Sequence, residues 1–351
     1  MANLQNITLD DTGFIRLPQG TTAQRPASPA TGMVRFNTTT NSTEYYNGLV
    51  WRNFNRSTSA NVTGTVETID VGIYRVHTFR GSGSITFTTY PERVEYLIVA
   101  GGGGGGNDHG GGGGGGGVLQ GFFTPVINTN YTVTIGAGGA GAPAVRNNTT
   151  ARGVSGQNSS VFGFTAIGGG GGGGSSGSDS SNGRVGGSGG GSSGYGSPRT
   201  PGAGTAGQGH SGGEGTNNAD EYQGGGGGGA GQPGRRTINP RARDAKGGSG
   251  RPSTITGTIQ WFGGGGGGNS SYTRNGKFGL GGIGGGGRGA TNNISPGFIN
   301  LTAESGQANT GGGGGGANRH AAGGPRHVAG SIGTAGSGGS GIVIIKYIRQ
   351  N

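Results

Sequence analysis

The chain has 351 residues, of which 96 are glycine and none is cysteine. Glycine makes up about 27% of the chain against a usual share of about 7%, and only 28% of the residues are hydrophobic. These figures exclude an ordinary enzyme domain spread evenly over the whole length. The absence of cysteine excludes disulfides, thiolate metal sites and a cysteine nucleophile. The net charge of +11 comes mainly from scattered arginines, without the basic helix or basic-aromatic motif that is typical of nucleic-acid binding.

No segment has the pattern of a membrane span or a signal peptide. All apolar stretches are shorter than the roughly 20 residues that cross a bilayer. The first residues, Met1 to Gln5, lack a charged region followed by an apolar one. We therefore expect synthesis in a cytoplasm, no membrane insertion, and another route of exit if the protein leaves the cell.

Residues 1–56 predict one small β-meander module. Pro26 and Pro29 interrupt regular pairing in a turn region, and Asn47-Gly48 is a strong hairpin signal. A meander of this size is too small to be stable alone, so it needs a partner chain or a neighbouring domain. The predicted strands are residues 13–18, 33–37, 43–46 and 49–54.

Residues 57–348 predict one glycine-rich domain in which strands lead into glycine runs. The strand at 94–100 is apolar on both faces after Glu95, which favours a central, buried position. A very apolar strand at 341–348 is expected to pair back with the earlier strands. Further strands are predicted at 65–69, 74–79, 84–88, 161–167 and 254–262, and the six long glycine runs are 101–106, 110–117, 168–174, 224–229, 263–268 and 311–316.

The glycine runs allow three interpretations. Flexible linkers are the usual one for Gly/Ser-rich sequence. Collagen is excluded because the glycines come in blocks rather than at every third position. A bundle of polyglycine II helices needs side-chain-free segments of similar length, and these runs of six to eight glycines meet both conditions. The predicted fold is therefore all-β with a polyglycine II bundle, arranged as a sandwich, and essentially no α-helix.

Several motifs, in order, resemble a glycine-rich domain that is common in bacteriophage tail-fibre and receptor-binding proteins. Over residues 61–348 they are YLIVA at 96–100 before a glycine block, GVLQG at 117–121, YTVTIGAGG at 131–139, NSSVF at 158–162 and GIVIIKY at 341–347. A short module of phage fibre proteins is similar to LPQGTTAQRP at 17–26, with GMVRFN at 32–37 and YNGLVW at 46–51.

This resemblance implies a virion appendage, a tail fibre or fibre tip, located on the virion and made in the host cytoplasm. In such adhesins the glycine helices form a rigid scaffold, and loops at one end contact the host receptor. The implied partners are a host cell-surface glycan or outer-membrane receptor and other virion tail or fibre proteins, with a homotrimer as the typical assembly. The alternative is a purely structural fibre or filament subunit that recognises no receptor.

The segments between glycine runs carry aromatic and arginine side chains that suit glycan binding. Aromatic rings stack on sugars and dominate binding hot spots, and arginine suits anionic groups. Trp261 also fits a second interpretation, in which it seals one end of the bundle. The receptor-binding candidates are Tyr195, Arg199, Tyr222, Arg235, Arg236, Trp261, Tyr272, Arg274, Phe298 and Arg319.

The N-terminal module carries more apolar side chains than a small meander can bury. An exposed patch of that size favours symmetric association, so we expect this module to form the oligomer and to attach the protein to the virion. The residues expected in this role are Phe14, Ile15, Leu17, Met33, Val34, Phe36, Tyr45 and Trp51.

No motif predicts catalysis or a cofactor. A GxGxxG pattern occurs within 101–106, but more glycine follows instead of the helix that a dinucleotide site requires. The five histidines lack zinc-ligand spacing. His109 beside Asp108 is interpreted as a turn rather than a metal site. We therefore expect no enzyme activity, no cofactor, no metal and no nucleic-acid partner.

Overall fold

The computed structural model describes most of the chain, which divides into two compact units, Met1–Ser57 and Thr58–Asn351. Within the described ranges, the secondary structure consists of strands and one short 3-10 turn, with no α-helix. The all-β prediction is therefore confirmed. The described residues are 15–54, 58–89, 93–143, 152–175, 180–218, 221–237, 245–273, 278–293, 302–318 and 333–349.

The first unit is a four-stranded sheet whose strands lie in the order β1-β2-β3-β4. The second to fourth strands form the expected antiparallel meander, and the first pairs with β2 in parallel. Residues 15–18 precede the first strand instead of forming it, and Pro18, which has no N–H, contributes only its carbonyl to Phe36. The strands are β1 (Gln19–Gly20), β2 (Val34–Asn37), β3 (Ser42–Tyr46) and β4 (Trp51–Asn53).

One face of this small sheet buries charged groups. Glu44 is fully buried, and its carboxylate accepts hydrogen bonds from Arg25 at 2.6 Å and from Asn37 at 3.0 Å. The Nε of Arg35 lies 3.6 Å from the other carboxylate oxygen. Burial raises the pKa of Glu44, but these hydrogen bonds and the two positive charges outweigh it, so that the pKa lies below its ordinary value.

The opposite face of the small sheet is apolar and partly open. Strand alternation places Val34, Phe36 and Tyr45 on this face, because their neighbours Arg35, Asn37 and Glu44 point to the other one. Phe54 packs on Tyr45 with the ring centroids 5.1 Å apart, yet 58% of Phe54 remains exposed. The module thus buries its ion pairs and exposes its apolar groups.

The second unit contains a central six-stranded sheet and three smaller sheets. In the central sheet the order is β5-β6-β18-β7-β8, and β9 pairs with the far part of β6. Its strands are β5 (Ala60–Val71), β6 (Tyr74–Phe87), β7 (Val94–Val99), β8 (Val118–Phe123), β9 (Asn130–Val133) and β18 (Ile342–Ile348); the small sheets contain β10 (Ser159–Val161), β11 (Phe164–Ala166), β12 (Thr216–Asn218), β13 (Glu221–Gln223), β14 (Arg251–Ser253), β15 (Gln260–Phe262), β16 (Ser270–Thr273) and β17 (Thr291–Asn293).

The strand over Ile342–Ile348 lies between β6 and β7 and is antiparallel to both, as expected from its apolar sequence. Both of its faces are buried: Val343 and Ile345 pack in one hydrophobic cluster, and Ile342 and Ile344 pack in another on the opposite face. The separate strands predicted at 74–79 and 84–88 are one strand, β6. A register irregularity beside Gly64, whose φ is +95°, allows this long pair to bend instead of ending.

The buried polar pair of this sheet is His77 and Tyr347. The His77 Nε2 and the Tyr347 hydroxyl are hydrogen-bonded at 2.8 Å, and the His77 Nδ1 is hydrogen-bonded to Thr68 at 2.8 Å. Burial, together with the charge of Arg75, lowers the pKa of His77 to about 4, and burial raises the pKa of Tyr347 to about 12. Both side chains are therefore neutral near pH 7.

The glycine runs pack around one central run, residues 110–117. It donates hydrogen bonds to the runs 311–316 and 168–174 and to the run 224–229. It accepts hydrogen bonds from the runs 101–106 and 263–268 and from a sixth segment, 188–191. The central run is therefore surrounded by all five other long runs and by one glycine/serine segment.

The bonding repeats every three residues, which identifies the polyglycine II helix. Gly110, Gly113 and Gly116 all donate to the segment 311–317, and Gly111, Gly114 and Gly117 all donate to the segment 167–173, at 2.8 to 3.0 Å. Consecutive amides thus point to different neighbours. This pattern confirms the predicted polyglycine II bundle and excludes flexible linkers for these runs.

Glycine is required here by the distance between chains. A Cβ added at Gly113 would lie closer than 3.0 Å to the carbonyl oxygen of Gly103, and one at Gly227 would lie equally close to that of Gly113. Real Cβ atoms do not make such contacts with backbone. Any side chain at these positions would therefore push two helices apart and break their hydrogen bonds.

We predict that Gly113→Ala destabilises the fold and that Gly333→Ala does not. The added methyl group at position 113 meets the Gly103 carbonyl, and overpacking of this kind costs about 1–3 kcal/mol. At Gly333 no atom lies within 4 Å of the added Cβ, so the control should change stability by less than about 0.5 kcal/mol. Chemical denaturation of both variants measures the difference, and equal stabilities would contradict this account of the bundle.

We also predict that stability falls as the pH drops from 6.5 towards 4. In this range the unfolded chain protonates His77 while the folded chain keeps it neutral, so acid favours unfolding by up to about 3 kcal/mol. Denaturation at a series of pH values should show this loss in the wild type. His77→Gln, which cannot titrate, should show a smaller slope; an unchanged slope would exclude His77 as the cause.

Candidate functional site

The glycine bundle has two ends that differ in chemistry. At the sheet end, β7 leads into the run 101–106 and the run 110–117 leads into β8, so the bundle begins on the hydrophobic core. At the far end, residues 107–109 join the same two runs. Loops at the far end are separated from the central sheet by the length of a glycine run, which is about 19 Å for six residues.

The far-end loop turns sharply at two residues with left-handed backbone. Asp108 has a φ of +56° and His109 a φ of +63°, which reverses the chain between adjacent helices. The His109 carbonyl accepts hydrogen bonds from the Gly194 amide at 2.8 Å and from the Ser193 hydroxyl at 3.1 Å. The loop is thus held against the segment that leads to Tyr195.

His109, Tyr195 and Tyr222 form an aromatic cluster at this end. The His109 ring centroid lies 4.8 Å from that of Tyr222 and 5.9 Å from that of Tyr195, and the two tyrosine rings are 5.3 Å apart, edge to face. His109 is only 2% exposed, whereas Tyr195 is 42% exposed. The buried histidine therefore supports two tyrosines, one of which presents its ring to solvent.

A hydrogen-bonded layer of amide side chains lies directly behind this cluster. Gln223, next to Tyr222, is buried and donates to the Ser270 hydroxyl at 3.1 Å. Asn269 accepts from the Gly224 amide at 2.9 Å and donates to Asn318. These contacts tie the ends of three glycine runs together and fix the backbone from which Tyr222 projects.

Three of the predicted arginines lie on the described surface. Arg235 and Arg236 are exposed, and Arg199 is partly exposed, four residues after Tyr195. The Nε of Arg236 lies 3.2 Å from a carboxylate oxygen of Glu214, a surface ion pair of the kind that adds little stability. The Arg235 backbone is bonded to Gly226 and Lys246, so this arginine is carried by a fixed segment of the bundle.

Of the remaining candidates, Trp261 lies away from the two tyrosines. Trp261 lies at the sheet end, in β15 just before a glycine run, and is 39% exposed, while its neighbour Phe262 is buried in the core. Tyr272 lies in β16, which pairs with β13, the strand that contains Tyr222. Arg274, Phe298 and Arg319 lie outside the described residues.

Sequence reasoning missed the role of His109. The His–Asp step was interpreted as a turn, and a turn is present, with the Asp108 carboxylate 3.7 Å from the imidazole. Nothing in the sequence indicated that the ring would be buried between tyrosines 86 and 113 residues away. That arrangement depends on which glycine runs become neighbours.

The described part of the chain offers no metal site and no membrane span. Its His, Asp and Glu side chains form no group of three or more that could hold a metal ion. Over the same residues, no helix is long and apolar enough to cross a bilayer.

The fold and the bundle together define an all-β protein built on a glycine-rich domain. The family model described as a glycine-rich domain matches residues 78–348. This match covers more than half of the chain, so the protein belongs to the glycine-rich domain family. No curated protein matches the chain.

Proposed function

We propose that the protein is a bacteriophage virion appendage, a tail fibre or fibre tip, that attaches to the host cell surface and has no enzyme activity. The observation that carries this proposal is the aromatic cluster at the far end. There a rigid bundle presents the ring of Tyr195, with Tyr222 beside it, on a buried histidine.

The bundle suits a display function because its backbone is fixed on all sides. A loop that connects two helices of this kind starts and ends at positions set by several hydrogen bonds, as at residues 107–109. Binding by a pre-ordered surface loses little conformational freedom. Variation in the loops can then change the ligand without a change in the scaffold.

The chemistry at the far end favours a carbohydrate ligand. An exposed tyrosine ring stacks on the apolar face of a sugar, and its hydroxyl bonds to a sugar hydroxyl. Arg199, close to Tyr195 in the chain, would attract an anionic group. We infer that the partner is a host cell-surface glycan or a glycan-bearing outer-membrane receptor. Neither a cofactor nor a nucleic acid is part of this proposal.

The first unit is proposed to form a homotrimer and to attach the protein to other virion tail or fibre proteins. Its apolar sheet face carries Val34, Phe36 and Tyr45, with Phe54 against them. Met33 and Ile15 are also exposed, at 41% and 65%. Leu17 and Trp51 are partly exposed and stay in the proposed attachment set, whereas Phe14 lies outside the described residues.

We predict that the double variant Tyr195→Ala, Tyr222→Ala loses host adsorption. Removing the two rings removes the stacking surface, and losses at such hot spots correspond to about tenfold or more in affinity. The labelled protein is incubated with a panel of Gram-negative bacteria and bound fluorescence is counted. Trp261→Ala, a similarly exposed aromatic at the other end, is the matched control and should bind as the wild type does.

Three outcomes of this assay separate the alternatives. Loss in the tyrosine variant alone supports binding at the far end. Loss in the tryptophan variant alone would place the receptor surface at the sheet end. If the wild-type protein adsorbs to no strain and forms long polymers in electron micrographs, the alternative function, a purely structural fibre or filament subunit, is favoured.

We predict that Phe36→Asp converts the homotrimer to monomer. A carboxylate on the apolar face cannot be desolvated in an interface without a large cost, whereas on an isolated module it remains in water. Leu49→Asp, at the 83% exposed hairpin tip, should remain trimeric. Light scattering measures the mass of each. A Phe36→Asp protein that stays trimeric would place the interface elsewhere.

A further inference from the structure

A groove of about 350 Å³ lies on the side of the glycine bundle, beside the start of the run 168–174. Its floor is Ile167 and Gly168, at the start of a glycine run. One wall is formed by the segment 155–158, and the other by residues 185–186 together with 203–205. Nearly all of these lining groups are backbone or small side chains.

The groove occupies the position of a missing neighbour in the bundle. The central run 110–117 has six neighbours. Among the described residues, the run 168–174 has five neighbours that follow its length, and in the sixth direction its last residue, Gly174, is bonded to Ser180. In order around the run, the five neighbours are 153–156, 101–106, 110–117, 188–191 and 184–187, and each is linked to the next by its own hydrogen bonds. The open position lies between 184–187 and 153–156, where the groove is.

At the start of the run, the amides that face the open position are bonded to side chains instead of to a neighbouring helix, whereas the last amide in this direction, that of Gly174, donates to the Ser180 carbonyl at 2.6 Å. Every other direction around the run 168–174 repeats at three-residue intervals with backbone partners. In the open direction, the Gly168 amide donates to Asn158 Oδ1 at 2.8 Å, and the Gly171 amide donates to the Ser155 hydroxyl at a long 3.4 Å. In this direction, the two side-chain oxygens accept the hydrogen bonds that backbone carbonyls of neighbouring helices accept elsewhere around the run.

The two walls also carry unused backbone groups. Ser155 and Val185 lie on opposite sides of the groove, and the backbone N–H and C=O of neither residue make a hydrogen bond with the described part of the chain. These open donors and acceptors, from one residue on each wall, resemble those of an exposed sheet edge, which proteins use to bind an added extended segment.

We propose that this groove binds a glycine-rich segment of another polypeptide, which adds to the bundle as one more polyglycine II helix. The occupant must be extended, with a three-residue repeat, so that its amides reach Ser155 on one side and Val185 on the other. We expect it to lack side chains, as the neighbouring helices of the bundle do where they face one another: a Cβ added at Gly156 would lie closer than 3.0 Å to the Gly101 carbonyl, and one at Gly168 closer than 3.0 Å to the Gly156 carbonyl. This inference does not depend on the proposed host attachment.

The test uses the full-length protein and a fluorescein-labelled peptide of six glycines flanked by lysines at both ends. The lysines keep the peptide soluble and, on a chain of net charge +11, prevent binding by simple charge attraction. Fluorescence anisotropy should show saturable binding of this peptide. A peptide with six alanines in place of the glycines should bind at least about tenfold more weakly.

Two groove variants and one control locate the binding. Ala203→Phe and Val185→Phe place bulk at two positions of the wall formed by residues 185–186 and 203–205, and each should weaken binding by about tenfold or more. Val154→Phe is the matched control, because Val154 is 53% exposed on the same segment but does not line the groove. Thermal unfolding of each variant verifies that the fold is retained, and the two wall variants provide independent readings if one of them unfolds.

Failure to bind at saturating peptide concentration overturns the proposal, as does equal binding by the glycine and alanine peptides. Equal binding by the wall variants and the control overturns it as well. Self-association of the wild-type chain that Ala203→Phe abolishes, without peptide binding, would overturn it in favour of a second copy as the occupant.

Discussion

The structure depends on how closely two glycine backbones can approach each other. Without a Cβ, an extended helix can place its carbonyls and amides against neighbours on every side, as the central run does with six of them. Each glycine loses much conformational freedom when it is ordered, and a single net hydrogen bond roughly offsets that loss. The bundle is therefore favourable only when something else fixes its edges.

The central sheet fixes those edges. Its strand at Ile342–Ile348 is buried on both faces. The cluster on the face of Ile342 and Ile344 extends to Phe262, Ala230 and Val118, at the positions where glycine runs begin or end. Arg251 strengthens the same boundary, since its guanidinium donates to the carbonyls of Val118, Gly207 and Ala230 at 3.1 to 3.4 Å. Hydrophobic burial supplies the free energy, and the glycine helices extend the order beyond the core.

Sequence reasoning predicted the parts of this fold better than their arrangement. The glycine runs, the buried strand at 94–100 and the closing strand are visible in composition and local pattern. Composition and local pattern do not show that the run 110–117 lies at the centre of the bundle, because the runs are nearly identical in sequence and the connecting loops set their arrangement. For the same reason the meeting of His109 with Tyr195 and Tyr222 could not be predicted.

The first unit differs from expectation in a related way. Its strands follow the hairpin signals. Which face of the sheet buries its side chains is decided by Glu44, whose carboxylate accepts hydrogen bonds from Arg25 and Asn37, two residues outside its own strand. Of the apolar residues predicted for assembly, Val34, Phe36 and Tyr45 are therefore available on the other face, whereas Trp51 lies on the Glu44 side, with its ring 6.0 and 5.9 Å from the guanidinium groups of Arg25 and Arg35. The alternation of side chains along a strand defines two faces but does not show which of them is buried. Here the contacts of Glu44 with residues outside its strand decide that.

The position of the closing strand has a consequence for how the protein is made. His77 and Tyr347 are hydrogen-bonded partners separated by 270 residues. At about 5–20 residues per second, translation leaves β6 and β7 without their shared neighbour for tens of seconds. During that interval the emerging chain is rich in glycine, which offers little apolar surface for aggregation. The composition that builds the scaffold thus adds little apolar surface to the unfinished sheet before its last strand is made.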